Sequence, residues 1–244
     1  SAEILSRLSS SGALVAFDQD LDAEANLSAD SRLSFVRQNF SFYQNYLRAL
    51  GKLPVDGVLA DLGVSSHQFD VAERGFSFRF DAGLDMRMNR DTDLTAFDVV
   101  MNYDEDDLLR VFREYGELKN AYSIASRIVY RRKDEVIDTI EKLKSILESL
   151  APRGKFNTFY AKVFQALRIE VNEEMEVLRE FLDASLDLLK PGGRLVILTY
   201  HSLEDRLCKN FMRSGNFEGK VDKDFYGNIT SPFKLINRKV IIAG

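Results

Sequence analysis

Short apolar runs and amphipathic stretches alternate in the first part of the chain. Apolar runs of strand length occupy 13–17, 33–36 and 58–60, and each is followed by polar residues. A helical pattern lies between the second and third runs, and Ser41 is its expected cap. Its apolar face holds Phe42, Tyr43, Tyr46, Leu47 and Leu50. This alternation predicts a parallel sheet with helical crossovers, the α/β class.

The period changes in the middle of the chain and then changes back. Four apolar stripes of helical spacing occupy 95–169 with no strand between them, which predicts an all-helical insertion at 94–170. The flanking ranges 1–93 and 171–244 form the predicted α/β domain. In the second range, Pro191-Gly192-Gly193 ends a long amphipathic helix, and a buried strand follows from Arg194 to Tyr200. Ser202 with Asp205 predicts a capping box for the next helix, and a terminal hairpin is expected after it.

The first residues have the pattern of a helix that is already under way. Ile4, Leu5 and Leu8 share one face, and Gly12 is the expected C-terminal cap. In an α/β domain, we therefore expect a further strand and a Gly-rich turn to precede Ser1.

A polar cluster follows the third apolar run and opens a long irregular stretch from Asp56 to Arg90. Asp61 ends the run, and Ser65, Ser66 and Gln68 come soon after it. Ligands of open α/β sheets bind beyond the carboxyl ends of the strands, so these side chains are candidates for a binding site. The stretch is too long for an ordinary connection and too aromatic for disorder. Three aromatic residues of the stretch are candidates for stacking on a base: Phe76, Phe78 and Phe80. The alternative, which we expect for at least two of the three, is that they form the core of the loop.

Asp18 lies at the end of the first apolar run. An acidic residue at this point of a nucleotide-binding domain accepts hydrogen bonds from ribose hydroxyls. The alternative is a loop residue that caps the helix expected near Asp22.

Composition narrows the class of protein. The 244 residues are 45% hydrophobic and 29% charged, enough for one domain or one domain with an insertion. No apolar run approaches the ~18 residues that span a bilayer. The single cysteine, Cys208, excludes an internal disulfide, and the cytoplasm is the expected location. A net charge of −5 argues against coating nucleic acid by bulk charge and leaves room for a local basic face.

Four segments together resemble the bacterial small-subunit rRNA cytosine-N4 methyltransferase family: DGVLADLGVSSHQFDVAERGFSFRFDAGLDMRM, KNAYSIASRIV, FQALRIEVNEE and LKPGGRLVILTYHSLEDR. The resemblance implies a class I S-adenosylmethionine-dependent methyltransferase with a Rossmann-like, mostly parallel sheet. It implies that the helical insertion recognises RNA, and that the substrate is a cytidine in the decoding region of 16S rRNA in the small ribosomal subunit. The family's Gly-Gly-His turn and strand would precede Ser1.

The resemblance also assigns roles to particular residues. Asp18, Phe40, Asp61 and Gln68 match the family's cofactor-binding positions, with Asp18 on the ribose and Phe40 against the adenine. The chain departs from the family pattern in two places. His67 replaces a common proline, and Asn157-Thr158-Phe159-Tyr160-Ala161-Lys162 replaces a common His-Pro-Ala-Thr-Arg run.

Methylation of an exocyclic amine requires a hydrogen-bond acceptor, because the lone pair of the nitrogen is delocalised into the ring. The candidate acceptors are Asp61, Ser65, Ser66 and Asp85. Many amino-methyltransferases carry an Asp/Asn-Pro-Pro-aromatic turn here, whereas this chain has Asp61-Leu62-Gly63-Val64. His201 is a candidate proton acceptor or RNA contact, or a satisfied buried side chain.

The candidate RNA contacts are basic residues of the insertion and the last helix. On charge alone, these basic residues are also consistent with solvated helix faces. The candidates are Arg131, Arg132, Lys162, Arg168 and Arg206.

Two other functions are compatible with parts of the sequence. Asp18 would suit the ribose of a nicotinamide cofactor, so an oxidoreductase is one alternative. A non-catalytic ribosome-assembly factor on a methyltransferase fold is the other.

Overall fold

The computed structural model describes residues 1–227, 230–237 and 241, which form two compact units. Unit 1 comprises Ser1–Asp18, Leu27–Gly63 and Met175–Gly244, and unit 2 comprises Gln19–Asn26 and Val64–Glu174. Apart from Gln19–Asn26, which joins unit 2, the divisions lie after Gly63 and Glu174, whereas the sequence analysis placed them after 93 and 170. Residues 64–93 cluster with the helices because their apolar side chains belong to the helical core. That 94–170 forms a separate RNA-recognition domain stays a prediction.

Helices account for most of the secondary structure in the described residues. The α-helices are α1 (Ala2–Arg7), α2 (Tyr43–Ala49), α3 (Ser66–Asp70), α4 (Ala96–Asn102), α5 (Glu105–Glu114), α6 (Ala121–Arg131), α7 (Ile140–Leu147), α8 (Phe156–Val171), α9 (Glu174–Leu188) and α10 (Ser202–Ser214). The strands are β1 (Leu14–Asp18), β2 (Leu33–Arg37), β3 (Val55–Asp61) and β4 (Leu189–Leu198). Short 3-10 helices span Leu21–Asn26, Phe40–Phe42, Ala72–Arg74 and Glu148–Leu150. Among the described helices, none is long and apolar enough to cross a bilayer.

The strands of unit 1 pair in parallel, as the alternating pattern predicts. β1 pairs with β2 from Leu14 opposite Leu33 to Asp18 opposite Arg37. β3 pairs with β4, and Asp61 lies opposite Leu198 at the end of that ladder. The described strands thus form two separate two-stranded parallel sheets, which agrees with the α/β class but differs from the single sheet of the prediction. Asp18 and Asp61 each end a strand at its carboxyl terminus, one in each sheet.

The start of β4 differs from the prediction. The sequence placed Pro191-Gly192-Gly193 between a helix and a strand, but β4 begins at Leu189. Leu189 pairs with Val55, the next paired position joins Arg194 to Gly57, and the register shifts between them. The Pro-Gly-Gly segment is therefore an irregularity inside the strand rather than the stop before it.

Three helix ends also differ from their expected positions. Asn39, not Ser41, caps the helical turn that leads into α2, because its side chain accepts from the Ser41 amide at 3.0 Å. α1 ends at Arg7 instead of continuing to Gly12. His201, not Ser202, is the N-cap of α10, and Glu204 completes the capping box. The expected terminal hairpin lies partly outside the described residues.

Unit 2 is built around one apolar core. α4–α8 turn buried aliphatic and aromatic side chains toward one another; the four apolar stripes predicted α5–α8, and α4 is an additional helix. The irregular stretch adds Phe76, Leu84 and Met86 to the same core. Unit 1 has its own buried side chains on α2, α9 and α10, and the Tyr43 hydroxyl donates to the Phe181 carbonyl at 2.8 Å.

Candidate active site at the strand ends

The carboxyl ends of β3 and β4 place Asp61 beside Tyr200. The Tyr200 hydroxyl donates to Asp61 Oδ1 at 2.7 Å. This hydrogen bond to a carboxylate, with the charge of Asp61, raises the pKa of Tyr200 above its ordinary value. Among the residues that the structure describes, no cation pairs with Asp61. A solvent-exposed carboxylate held by one neutral donor is thus available at the sheet edge.

The start of α10 fixes the backbone of Tyr200 by hydrogen bonds. Glu204 is buried, and its Oε2 accepts from the Tyr200 amide at 2.8 Å and from the His201 amide at 3.4 Å. His201 Nδ1 in turn accepts from the Glu204 amide at 3.4 Å. His201 Nε2 lies 3.3 Å from Glu204 Oε1 without a hydrogen-bond alignment. His201 is thus a mostly buried capping residue, and its candidate role in proton transfer stays a prediction.

The remaining cofactor candidates of unit 1 are Asp18 and Phe40. Asp18 is exposed and ends β1. Phe40 is partly exposed and packs edge-on against Phe181, with ring centroids 5.4 Å apart. The aromatic contact fixes the ring of Phe40 and leaves part of it accessible.

Gln68 lies in unit 2, where its side chain is already engaged. Its Oε1 accepts from the Ser65 amide at 3.0 Å, while Ser65 Oγ accepts from the Gln68 amide, and this capping box starts α3. Gln68 Nε2 donates to Asp20 at 2.6 Å. Ser66 begins α3, and its side chain falls outside the described residues. The cofactor role of Gln68 and the acceptor roles of Ser65 and Ser66 stay predictions.

Arg74 organises the irregular stretch, although sequence analysis assigned it no role. Its side chain is 2% exposed and pairs with Asp20 at 2.8 Å and with Asp22 at 3.2 Å. The same guanidinium donates to the carbonyls of Arg87 at 3.1 Å and Met88 at 3.2 Å. One buried cation therefore joins residues 20–22 to both ends of the segment 74–88.

The two acidic residues of this network, Asp20 and Asp22, have different further partners. Burial opposes ionisation of Asp20, but hydrogen bonds from Gln68 and the Asp22 amide, with the charge of Arg74, hold its pKa below the ordinary value. His67 Nε2 lies 3.2 Å from Asp22 Oδ2. The histidine that replaces the family's usual proline thus has a carboxylate partner.

Asp85 is paired to an arginine. Arg87 contacts its carboxylate through Nε at 2.9 Å and Nη2 at 2.8 Å. Burial opposes ionisation, but these hydrogen bonds outweigh it and hold the pKa of Asp85 below its usual value. A carboxylate that already accepts two guanidinium bonds is a weak candidate for binding an amine.

The predicted RNA contacts divide into structural and exposed residues. Arg168 is mostly buried and pairs with Glu174 at 2.8 and 3.0 Å. Arg132 donates to the Val100 carbonyl at 2.9 Å. Arg131, which pairs with Glu135, and Arg206 are exposed, whereas Lys162 is half-buried and its Nζ donates to the Glu117 carbonyl at 3.5 Å. The exposed residues remain the better candidates for RNA, and none of these roles is tested.

The three phenylalanines of the irregular stretch also divide. Phe76 is buried beneath the Arg74 guanidinium, 5.7 Å from its ring centroid. Phe78 packs against Phe164 at 5.7 Å. Phe80 is exposed. The expectation that at least two of the three form loop core is confirmed.

Parallel strands with acidic residues at their carboxyl ends are typical of α/β proteins that bind a ligand beyond the strand ends. Comparison with known proteins identifies the family. The chain matches the model of the MraW methylase family over residues 1–244 and belongs to that family. It is therefore a methyltransferase.

Individual relatives of the chain match it over nearly its whole length. A Phocaeicola vulgatus protein named Ribosomal RNA small subunit methyltransferase H is 57% identical over 244 residues, covering all of this chain and 80% of that protein. Proteins of the same name from Bacteroides thetaiotaomicron and Flavobacterium johnsoniae are 56% and 54% identical, each over 99% of this chain and 80% of their own lengths. The oxidoreductase and non-catalytic alternatives gain no support from these relatives.

Proposed function

We propose that this methyltransferase transfers a methyl group from S-adenosylmethionine to the exocyclic N4 amine of a cytidine in the decoding region of 16S rRNA. Family membership over the whole chain supports the reaction class, and the names of the relatives support the RNA substrate. The structural observation that carries the proposal is the exposed Asp61 carboxylate at the carboxyl end of β3, held by Tyr200. The corresponding fold is a class I, Rossmann-like methyltransferase, and the small ribosomal subunit in the cytoplasm is its expected partner.

The residues at the strand ends fit the chemistry of this methyl donor. A carboxylate such as Asp18, at the end of a parallel strand, can accept hydrogen bonds from two ribose hydroxyls. The partly exposed ring of Phe40 can lie against an adenine. When bound, the donor supplies an electrophilic methyl group on a positively charged sulfur. The negative charge of Asp61 favours a cation near the carboxyl end of β3.

Residues of the chain must also activate the amine as a nucleophile. When the methyl group passes from sulfur to N4, N4 would release one proton, which Asp61 or another acceptor could take up and pass to solvent. Asp61 can accept a hydrogen bond from the amine, which localises the nitrogen lone pair for in-line attack. The target base must leave its stack to reach such an acceptor. Ser65, Ser66 and Asp85 are the other proposed acceptors, and the Arg87 pair makes Asp85 the weaker one.

Unit 2 is the proposed RNA-recognition part of the chain. Of its candidate cations, the exposed Arg131 and the half-buried Lys162 can contact phosphates, whereas Arg168 and Arg132 are engaged within the unit. Backbone contacts of this kind add affinity that weakens with salt. Arg206 on α10 is the candidate phosphate contact of unit 1.

The proposal is tested by incubating the protein with small ribosomal subunits that lack the modification and S-adenosylmethionine, then analysing 16S rRNA nucleosides by mass spectrometry. We expect N4-methylcytidine with the wild-type protein and a large loss with Asp61→Ala. S-Adenosylhomocysteine, but not NAD, should also raise the melting temperature of the protein, because a ligand that binds the native state stabilises that state. An active protein whose product is methylated at another base would refute the assigned substrate.

A further inference from the structure

We propose that Tyr200 is the platform on which the target base stacks and that its hydroxyl also positions Asp61 toward the amine. This inference rests on the proposed function. Sequence analysis named no role for Tyr200, because it is the last residue of a predicted strand. The structure instead places it just beyond β4, at the edge of the sheet where Asp61 ends β3.

The Tyr200 ring is exposed but held at two points. Its side chain is 67% exposed, although it follows a strand and precedes a helix. The hydroxyl donates to Asp61 at 2.7 Å, and the backbone amide donates to Glu204 at 2.8 Å. An aromatic ring that is fixed at both ends loses little further freedom when a base stacks on it. Its exposure therefore indicates a contact surface rather than a packing position.

The turn after β3 lies against this ring. Gly63 has φ +82°, a conformation that favours glycine, and a Cβ built there would lie 3.5 Å from Tyr200 Cδ2. One side of the ring thus lies near the backbone of the turn that follows Asp61. The turn carries no aromatic residue of its own, and the neighbouring strand supplies one.

The two proposed roles of Tyr200 act on different parts of the reaction. The ring would bind the flipped cytosine through its face, a contact that every base can make. The hydroxyl would keep one oxygen of Asp61 occupied and leave the other to accept from N4. Ring and hydroxyl can therefore be separated by substitution, because phenylalanine keeps the first and removes the second.

The experiment compares Tyr200→Phe with Tyr200→Leu, and uses Tyr226→Leu as the control. Tyr226 is 86% exposed in the same unit and packs edge-on against Phe225, remote from the strand ends in sequence. Single-turnover methyl transfer to small ribosomal subunits is measured at increasing subunit concentration. S-Adenosylhomocysteine affinity and the melting temperature are measured on each variant. Since both Tyr200 variants lack the hydroxyl, their ratio isolates the ring.

We expect Tyr200→Leu to be about 5- to 150-fold slower than Tyr200→Phe in transfer at limiting substrate, the range for losing one base–aromatic stack. Tyr200→Phe should be slower than wild type at saturating substrate, because Asp61 loses its donor. The two variants should bind S-adenosylhomocysteine equally and melt together, and Tyr226→Leu should match wild type.

Different results identify different failures. If wild type transfers no methyl group to the rRNA, the proposed function fails. If wild type is active and the leucine variant equals the phenylalanine variant, the stacking role is wrong. If the leucine variant alone loses cofactor affinity and melts at lower temperature, Tyr200 is structural and the inference is overturned.

Discussion

Removing the buried Arg74 cation should destabilise unit 2 more than any surface substitution. In Arg74→Met, Asp20 would keep its buried carboxylate but lose its 2.8 Å ion pair, and the carbonyls of Arg87 and Met88 would lose their donors. Breaking one side of a buried ion pair costs about 3–5 kcal/mol, because the other charge remains buried. We expect a loss in this range at pH 7.

The sign of the pH dependence distinguishes this mechanism from simple loss of packing. In wild type the pKa of Asp20 is depressed, so its contribution to stability is present above the unfolded-state pKa, about 3.9, and is lost as the pH falls through the folded-state value. Without Arg74, burial still opposes ionisation and only the hydrogen bonds from Gln68 and the Asp22 amide remain to favour the carboxylate, so the folded-state pKa of Asp20 should be higher than in wild type. Protonation of Asp20 then costs the variant less than it costs wild type, so the gap in stability between them should narrow as the pH falls.

The assay is urea unfolding followed by far-UV circular dichroism at pH 7, 5 and 4. Arg131→Met is the matched control, because Arg131 is exposed and its pair with Glu135 lies on the surface. Exposed pairs contribute about 0–1 kcal/mol, and the control should show no such pH dependence. A loss below about 1 kcal/mol for Arg74→Met, or a loss that is constant with pH, would refute the role given to the buried pair.

Three further predictions address the assigned roles. Asp61→Asn should slow single-turnover methyl transfer about 10²- to 10⁴-fold, whereas Asp85→Asn should mainly lower the urea midpoint; equal rate losses would contradict this division. Arg168→Met should lower the free energy of unfolding by about 3–5 kcal/mol, since Glu174 would lose its partner, and a stable variant with weakened RNA binding would show that Arg168 contacts RNA instead. Arg131→Glu should reduce the slope of log affinity against log salt for rRNA by about one or more while sparing S-adenosylhomocysteine binding, and an unchanged slope would place the RNA surface elsewhere.

The architecture was largely predictable because hydrophobic periods report burial directly. The apolar runs predicted β1, β2 and part of β3, and the stripes predicted the helices from α5 onward. The errors occur where a local signal had two meanings. Pro191-Gly192-Gly193 is a typical helix stop, but partners on β3 keep the chain extended on both sides of it. Likewise, Ser202 is a good capping residue by type, yet His201 is the one with the extended backbone that an N-cap requires.

The candidate site was predictable only in part. Asp18 and Asp61 follow apolar runs, so the rule for strand ends found them. Tyr200 and Asp61 are distant in sequence, and only the pairing of β3 with β4 brings them together. Arg74 offered no signal, because an arginine in an irregular segment is usually exposed. Its burial follows from the acidic residues at 20–22, whose approach no local pattern encodes.

The pairing of carboxylates with arginines decides which acid can act on the substrate. Asp20, Asp85 and Glu174 each accept hydrogen bonds from a guanidinium, so their lone pairs are occupied and their charge is balanced. Such groups stabilise the fold but have little capacity left for an amine hydrogen. Asp61 differs because its partner is the neutral Tyr200 hydroxyl, which leaves its charge uncompensated and one oxygen available. Among the candidate carboxylates, Asp61 is therefore the one whose environment suits both a cationic methyl donor and the amine that receives the methyl group.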